Sequence, residues 1–127
     1  MDTISILLVE DIKIAQIVAS LIIKSLNCHL DVAENGKDAL SLVNQNHYDC
    51  ILMDIGLPDL DGFTVAQMIR QGQHTNKDTL IVALTAHDRE NFQNKLLDSG
   101  MNYFLTKPLT VDSVKEVMKK FNISINN

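Results

Sequence analysis

The chain has no basic stripe, no long hydrophobic run and almost no cysteine. It carries 11 Lys and Arg against 16 Asp and Glu, a net charge of −5, so nothing is available to meet a phosphate backbone and direct nucleic-acid binding is excluded. Its longest mainly apolar stretch, Ile14 to Ile23, is too short to cross a bilayer and contains Gln16 and Ser20. Met1-Asp2-Thr3 lacks a basic start, so a secretory leader is not expected. The two cysteines, Cys28 and Cys50, are too few for a disulfide framework or a zinc site. They fit a reduced, cytoplasmic setting in which both act as small hydrophobes, and there the Asn122-Ile-Ser triplet is not read as a glycosylation acceptor. No Walker-type glycine loop and no serine nucleophile elbow occurs. His29, His47, His74 and His87 lack metal-ligand spacing and are expected on the surface.

What is present is an alternation of strand-like and helix-like segments. Apolar residues make up 46% of 127 positions, enough for one domain with a substantial core. Strands are expected at Ile4–Val9, His29–Ala33, Cys50–Met53, Leu80–Leu84 and Tyr103–Leu105. Helices are expected at Ile12–Leu26, Lys37–Gln45, Phe63–Gln71, Arg89–Ser99 and Val111–Phe121. Asn27 and Gly100 stand where a helix ends in a left-handed residue. Gln73–Asp78 reads as a polar loop, and 122–127 as a frayed tail behind a domain spanning 1–121. Five βα units in series predict an α/β, doubly wound sheet of five parallel strands with helices on both faces.

Five polar residues close four of these apolar runs. Glu10 and Asp11 follow the first, Asp54 the third, Thr85 the fourth and Lys107 the fifth. The carboxyl ends of parallel strands share one edge, where ligands bind, so these residues are expected to meet in one pocket. Three carboxylates there repel by about 4 kcal/mol per close pair at an effective dielectric of about 20. Lys107 offsets part of that, and a hard divalent cation with oxygen ligands, Mg²⁺, suits the rest. Such a site is fitted to phosphoryl transfer with a carboxylate as nucleophile. Asp59-Leu-Asp-Gly is not a calcium loop, because Leu57 and Met68 stand where acids would be needed.

Leu-Val-Glu-Asp (8–11), Ile-Leu-Met-Asp-Ile-Gly-Leu-Pro-Asp-Leu-Asp-Gly (51–62), Ala-Leu-Thr-Ala (83–86) and Leu-Thr-Lys-Pro-Leu (105–109) occur in this order and spacing. With them the chain resembles the receiver domain of two-component response regulators over about residues 4–121. The resemblance implies a flavodoxin-like sheet of five parallel strands in the order 2-1-3-4-5 with five helices. The resemblance implies that Asp54 accepts a phosphoryl group from a phosphohistidine. It implies Mg²⁺ held directly by Asp11 and Asp54, by Glu10 through water, and by the Gly56 carbonyl. Lys107 would pair with phosphoryl oxygens, and its bond to Pro108 would be cis. Thr85 would donate a hydrogen bond to the phosphoryl group, and Phe104 would be the aromatic switch whose rotamer follows Thr85. The other reading of Phe104 is core packing, since it lacks the hydroxyl of the tyrosine common there. The other reading of Thr85 is a helix cap, for which Asp88 is better placed. Gly56 and His87 would flank the phosphoryl group.

The helix Ile12–Leu26 has an expected core face at Ala15, Val18, Ala19, Ile22, Ile23 and Leu26. Ile14, Ile17 and Leu21 fall outside it and are read as a docking patch for a helical phosphohistidine partner, with burial of the helix on two sides as the alternative. The expected partners are a histidine kinase, a histidine phosphotransfer domain, or both. The segments 82–86 and 98–109 are similar in style to receivers of hybrid sensor histidine kinases, with a stand-alone chemotaxis-type regulator as the rival. Output would then come from another polypeptide or a longer chain. An Asp-nucleophile phosphatase of the haloacid dehalogenase type would need an acid at position 56, where Gly56 stands. A flavin-binding module would need a phosphate loop where Glu10 and Asp11 stand.

Overall fold

A computed structural model describes residues 3–86 and 93–124. Strands β1 (Ser5–Val9), β2 (His29–Ala33), β3 (Cys50–Asp54), β4 (Leu80–Thr85) and β5 (Tyr103–Thr106) alternate with helices α1 (Lys13–Ser25), α2 (Gly36–Gln45), α3 (Gly62–Gln71), α4 (Gln93–Ser99) and α5 (Val111–Lys120). All four pairings are parallel and the order is β2-β1-β3-β4-β5. The fold is therefore the flavodoxin-like one expected. Among the described residues no helix is long and apolar enough to cross a membrane.

The central strands are apolar throughout because both faces are covered. Leu7, Val9, Ile51, Met53, Ile81 and Ala83 point into one core with Ala39 and Val43 of α2 and Val65, Ala66 and Ile69 of α3. Ile6, Leu8, Cys50, Leu52, Val82 and Leu84 point into the other, with Ala19 and Ile23 of α1 and Val114, Val117 and Met118 of α5. The alternation is the period of two that a pleated strand imposes. Cys28 and Cys50 are both buried free thiols, and burial pushes both of them up from their ordinary range.

Helix ends follow local chemistry. Asn35 and Asp61 each accept a hydrogen bond from the third helical N–H of α2 and α3, at 2.8 Å, and Thr110 with Ser113 forms a capping box on α5. Among the described residues, the three with positive φ, Asn27 (61°), Gly100 (88°) and Asn122 (59°), each follow a helix. There they close paired backbone bonds, for example Cys28 N to Ile23 O and Ile123 N to Met118 O. Ile123 packs against the second core, so ordered structure extends past the expected start of the tail at Asn122.

Two expectations are corrected, Val18 in the core face and His74 on the surface, and the loop expected at 73–78 is present but holds one buried residue. Val18 is 41% exposed, because α1 meets the sheet along a narrow ridge of Ala19, Ile23 and Leu26. Gln16 is buried instead, its amide donating to the Glu10 carbonyl at 2.7 Å. The segment read as a polar loop contains Asn76, which is fully buried. Its side chain accepts from Tyr48 N (2.8 Å) and donates to Val43 O and Asn46 O (2.7 and 2.6 Å). His74, expected on the surface, is half-buried, and its Nδ1 accepts from Asn76 N at 3.1 Å. His87, Asp88 and the start of the helix expected from Arg89 lie outside the described residues.

Candidate functional site

Parallel pairing sets the site. Val9 stands beside Met53, Asp54 beside Leu84, and Thr85 beside Thr106, so the residues that end these strands share one edge. Chain polarity continues the link past the strands: Glu10 N donates to Ala33 O (3.0 Å) and Lys107 N to Thr85 O (2.7 Å).

Glu10 is 1% exposed. Its Oε1 accepts from Lys107 Nζ at 2.8 Å and its Oε2 from Ile12 N at 3.1 Å. Asp54, also buried, accepts from Gly56 N on Oδ1 (3.0 Å) and from Lys107 Nζ on Oδ2 (3.1 Å). Asp11 is exposed beside them, and one carboxylate oxygen from each of Glu10, Asp11 and Asp54 lies within 4.8 Å of the others. Three hard oxygen donors at that spacing, two of them buried, are a set that a divalent cation fits.

The electrostatics follow from burial. Loss of water pushes the Glu10 carboxyl above its ordinary range, against the opposing pull of Lys107 and the Ile12 N–H. Burial draws the Lys107 ammonium down, but Glu10 and Asp54 together outweigh it and leave the group raised. Lys107 is thus a firmly protonated cation between two acids.

Thr85 is buried at the end of β4. Phe104, opposite Ala83 on β5, is half-buried against the core that holds α3 and α4, its ring 6.3 Å from that of Tyr103. Gly56 lies beside Asp54 with room for a Cβ, which would sit 3.8 Å from Asp54 Oδ1. The Lys107–Pro108 peptide is cis.

Residues 6–119 match the family model described as the response regulator receiver domain. The chain belongs to this family. Among curated relatives of the receiver, Hybrid signal transduction histidine kinase L of Dictyostelium discoideum is 34% identical over 127 residues, 96% of this chain. The Aerobic respiration control sensor protein ArcB of Escherichia coli is 37% identical over 117 residues, 92% of this chain. The chain spans 7% and 15% of their lengths. Two solved receivers superpose closely. The receiver domain of sensor histidine kinase PA1611 from Pseudomonas aeruginosa, solved with magnesium coordinated in its active site cleft, is 31% identical. It gives a TM-score of 0.86 over 97% of this chain and 100% of its own. The receiver domain of Ssk1 from Saccharomyces cerevisiae, solved with the histidine phosphotransfer protein Ypd1, is 28% identical, with a TM-score of 0.83 over 93% and 88%.

On the receiver's first helix, Ile14, Ile17 and Leu21 are 67%, 49% and 68% exposed. Val18 joins them in one apolar stripe. Beside it runs an apolar groove of about 240 Å³ between α1 and the segment after β5, lined by Ala15, Val18, Leu84, Pro108 and Leu109, with Glu10 and Lys107 at its site end.

Sequence reasoning did not find Gln16, which holds the Glu10 backbone. A glutamine interrupting an apolar helix run was the available signal. The part Asp59 plays was also missed: the sequence shows it only as a turn residue, and its partners Gly36 N and Lys37 N lie in another element.

Proposed function

We propose that this receiver domain takes a phosphoryl group from a phosphohistidine onto Asp54 and hands it on, or signals, through a partner protein. The observation that carries the reading is Asp54 gathered with Glu10, Asp11 and Lys107 at one sheet edge. Asp11 and Asp54 would hold Mg²⁺ directly, Glu10 through water, and the Gly56 carbonyl would add a ligand. When bound, the ion supplies positive charge to the phosphoryl oxygens and removes the mutual repulsion of the acids.

An Asp54 carboxylate oxygen attacks phosphorus in line as the bond to the histidine nitrogen breaks, and the electron pair leaves with the imidazole. Lys107, already 3.1 Å from Asp54, neutralises charge on the transferred group, and Thr85 donates its hydroxyl to another phosphoryl oxygen. Phe104, half-buried against the core that holds α3 and α4, would follow Thr85 as the switch.

The partner is a histidine phosphotransfer domain or histidine kinase that seats on Ile14, Ile17 and Leu21. Support comes from the exposure of that stripe and from the complex of the similar receiver with its phosphotransfer protein. Similarity to hybrid kinases favours a place within such a chain, working on the cytoplasmic side without contact to membrane or nucleic acid.

Incubation with Mg²⁺ and acetyl phosphate, followed by intact mass measurement, tests this. One added phosphoryl group is expected, lost in Asp54→Ala and when EDTA removes the metal. No gain, or a gain that survives Asp54→Ala, would end the reading.

A further inference from the structure

The loop of residues 55–61 between β3 and α3 carries Gly56, and Gly56 has no side chain to anchor it. Its position is set by its neighbours. Gly56 N donates to Asp54 Oδ1 at 3.0 Å, Gly62 N donates to Ile55 O at 3.1 Å, Ile55 N reaches Leu84 O in a long 3.4 Å bond, and Leu57 is buried in the first core. The restraint that reaches outside this neighbourhood is Asp59. Its Oδ1 accepts from Gly36 N at 2.8 Å and its Oδ2 from Lys37 N at 3.0 Å.

Those two N–H groups open α2, 23 and 22 residues away in sequence. A helix start leaves its first N–H groups without partners inside the helix. Here Asn35 takes the third, from Asp38, and a carboxylate from another loop takes the first two. The contact is close on the apolar side as well. A Cβ on Gly36 would stand 2.8 Å from Val65 Cγ2 and 3.2 Å from Leu60 Cβ. The N–H groups of Gly36 and Lys37 hold the Asp59 carboxyl below its ordinary range, as an anion at a helix N-terminus should be.

The helix that Asp59 grips is itself fixed to the other wall of the site. α2 follows β2, which pairs with β1 from Ser5 to Val9, and Glu10 N donates to Ala33 O. One wall therefore presents Glu10 and Asp11, the other presents Asp54 and Gly56, and Asp59 ties the second to the first across the sheet edge.

We infer that Asp59 is a positioning residue, whose two-pronged clamp on the start of α2 holds Gly56 and the Asp54 carboxylate at the spacing that metal binding requires. The inference rests on the metal-dependent reading of the site. Asp59 touches neither metal nor phosphoryl group and acts through the loop.

Titration of the metal-free protein with Mg²⁺, followed through the amide signals of Gly56 and Gly62 by NMR, tests the clamp alongside urea denaturation. Asp59→Ala should weaken Mg²⁺ binding roughly tenfold, in the range seen when groups that orient metal ligands are removed. Asn35→Ala removes the other cap of the same helix and should lower the urea midpoint similarly while leaving Mg²⁺ affinity within about twofold of wild type, because it does not touch the loop. Asp59→Asn, which drops the charge but keeps an acceptor for Gly36, should retain most of the affinity. The clamp is refuted if Asp59→Ala binds Mg²⁺ like wild type, if Asn35→Ala loses as much, or if Asp59→Asn is as weak as Asp59→Ala. If wild type itself gives no Mg²⁺-dependent shift, the metal reading has failed. Amide hydrogen exchange then decides the clamp: faster exchange at Gly56 in Asp59→Ala supports it, and unchanged exchange overturns it.

Discussion

Lys107 lies closer to Glu10 than to Asp54: its ammonium is 2.8 Å from Glu10 Oε1 and 3.1 Å from Asp54 Oδ2. Glu10, not the proposed phosphoacceptor, is its tighter partner. Lys107 therefore has a structural task in the resting domain besides its proposed task on a phosphoryl group.

Removing that cation isolates a carboxylate that is 1% exposed. Lys107→Met should destabilise the metal-free protein by about 2 kcal/mol. This is less than a fully buried pair would lose, because the lysine retains some contact with water. Adding Glu10→Gln should restore most of the loss. Urea midpoints of the two single variants and the double variant check this, and strictly additive losses would contradict the coupling.

The raised carboxyl of Glu10 gives a pH dependence of definite sign. The folded protein keeps this proton to a higher pH than the unfolded chain does, so in the window above 4.5 it binds more protons than the unfolded state. Stability from this group therefore falls as pH rises through the window. Measured in EDTA, wild type should lose stability relative to Glu10→Gln as pH is raised from 4.5 towards neutrality. Parallel curves would show that the group titrates alike in both states.

Gly62 begins α3 against the backbone that carries Asp54. A Cβ there would stand 2.6 Å from Asp54 O and 2.7 Å from Ile55 Cα, and backbone atoms cannot swing aside. Gly62→Ala should lower both the thermal midpoint and the yield of acetyl phosphate labelling. Gly56→Ala, with 3.8 Å to the nearest atom, should leave the midpoint nearly unchanged.

Asn76 separates stability from chemistry. Asn76→Ala strands Tyr48 N, Val43 O and Asn46 O in the interior, at a cost of about 3 kcal/mol. These groups lie at the opposite edge of the sheet from Asp54, so Mg²⁺ affinity of the folded protein should not change. Denaturation and metal titration of the same sample distinguish the two effects.

The apolar stripe on α1 should matter only to a protein donor. Ile14→Ala with Ile17→Ala is expected to slow transfer from a phosphohistidine partner while leaving acetyl phosphate labelling intact. Stability should shift by no more than about 0.5 kcal/mol per site, because both residues are exposed. Equal losses in the two labelling assays would remove the patch as a docking surface.

Strand identity and the polar residues Glu10, Asp11, Asp54, Thr85 and Lys107 that end the strands were written in local pattern, whereas strand order came with the family resemblance. A strand covered on both faces must be apolar without interruption, so the polar residue that ends it is conspicuous. Helix termini were legible within a residue or a few, because Asn27 and Gly100 mark C-terminal ends chemically. Ile12 was placed inside α1 but stays extended as its cap, a difference the apolar pattern cannot register.

Tertiary structure alone decided which polar residues find a backbone partner outside their own element. Gln16, Asp59 and Asn76 are ordinary surface residues by type, and each gains its role from a backbone group brought to it by folding. For Asp59 and Asn76 that group lies more than 20 residues away. Val18 left the expected core face and lines the groove with Leu84, Pro108 and Leu109 instead. Periodicity reports whether a side chain can be buried. Only the assembled fold determines what it meets there, since hydrogen bonds act over about 3 Å and chain distance says nothing about that separation.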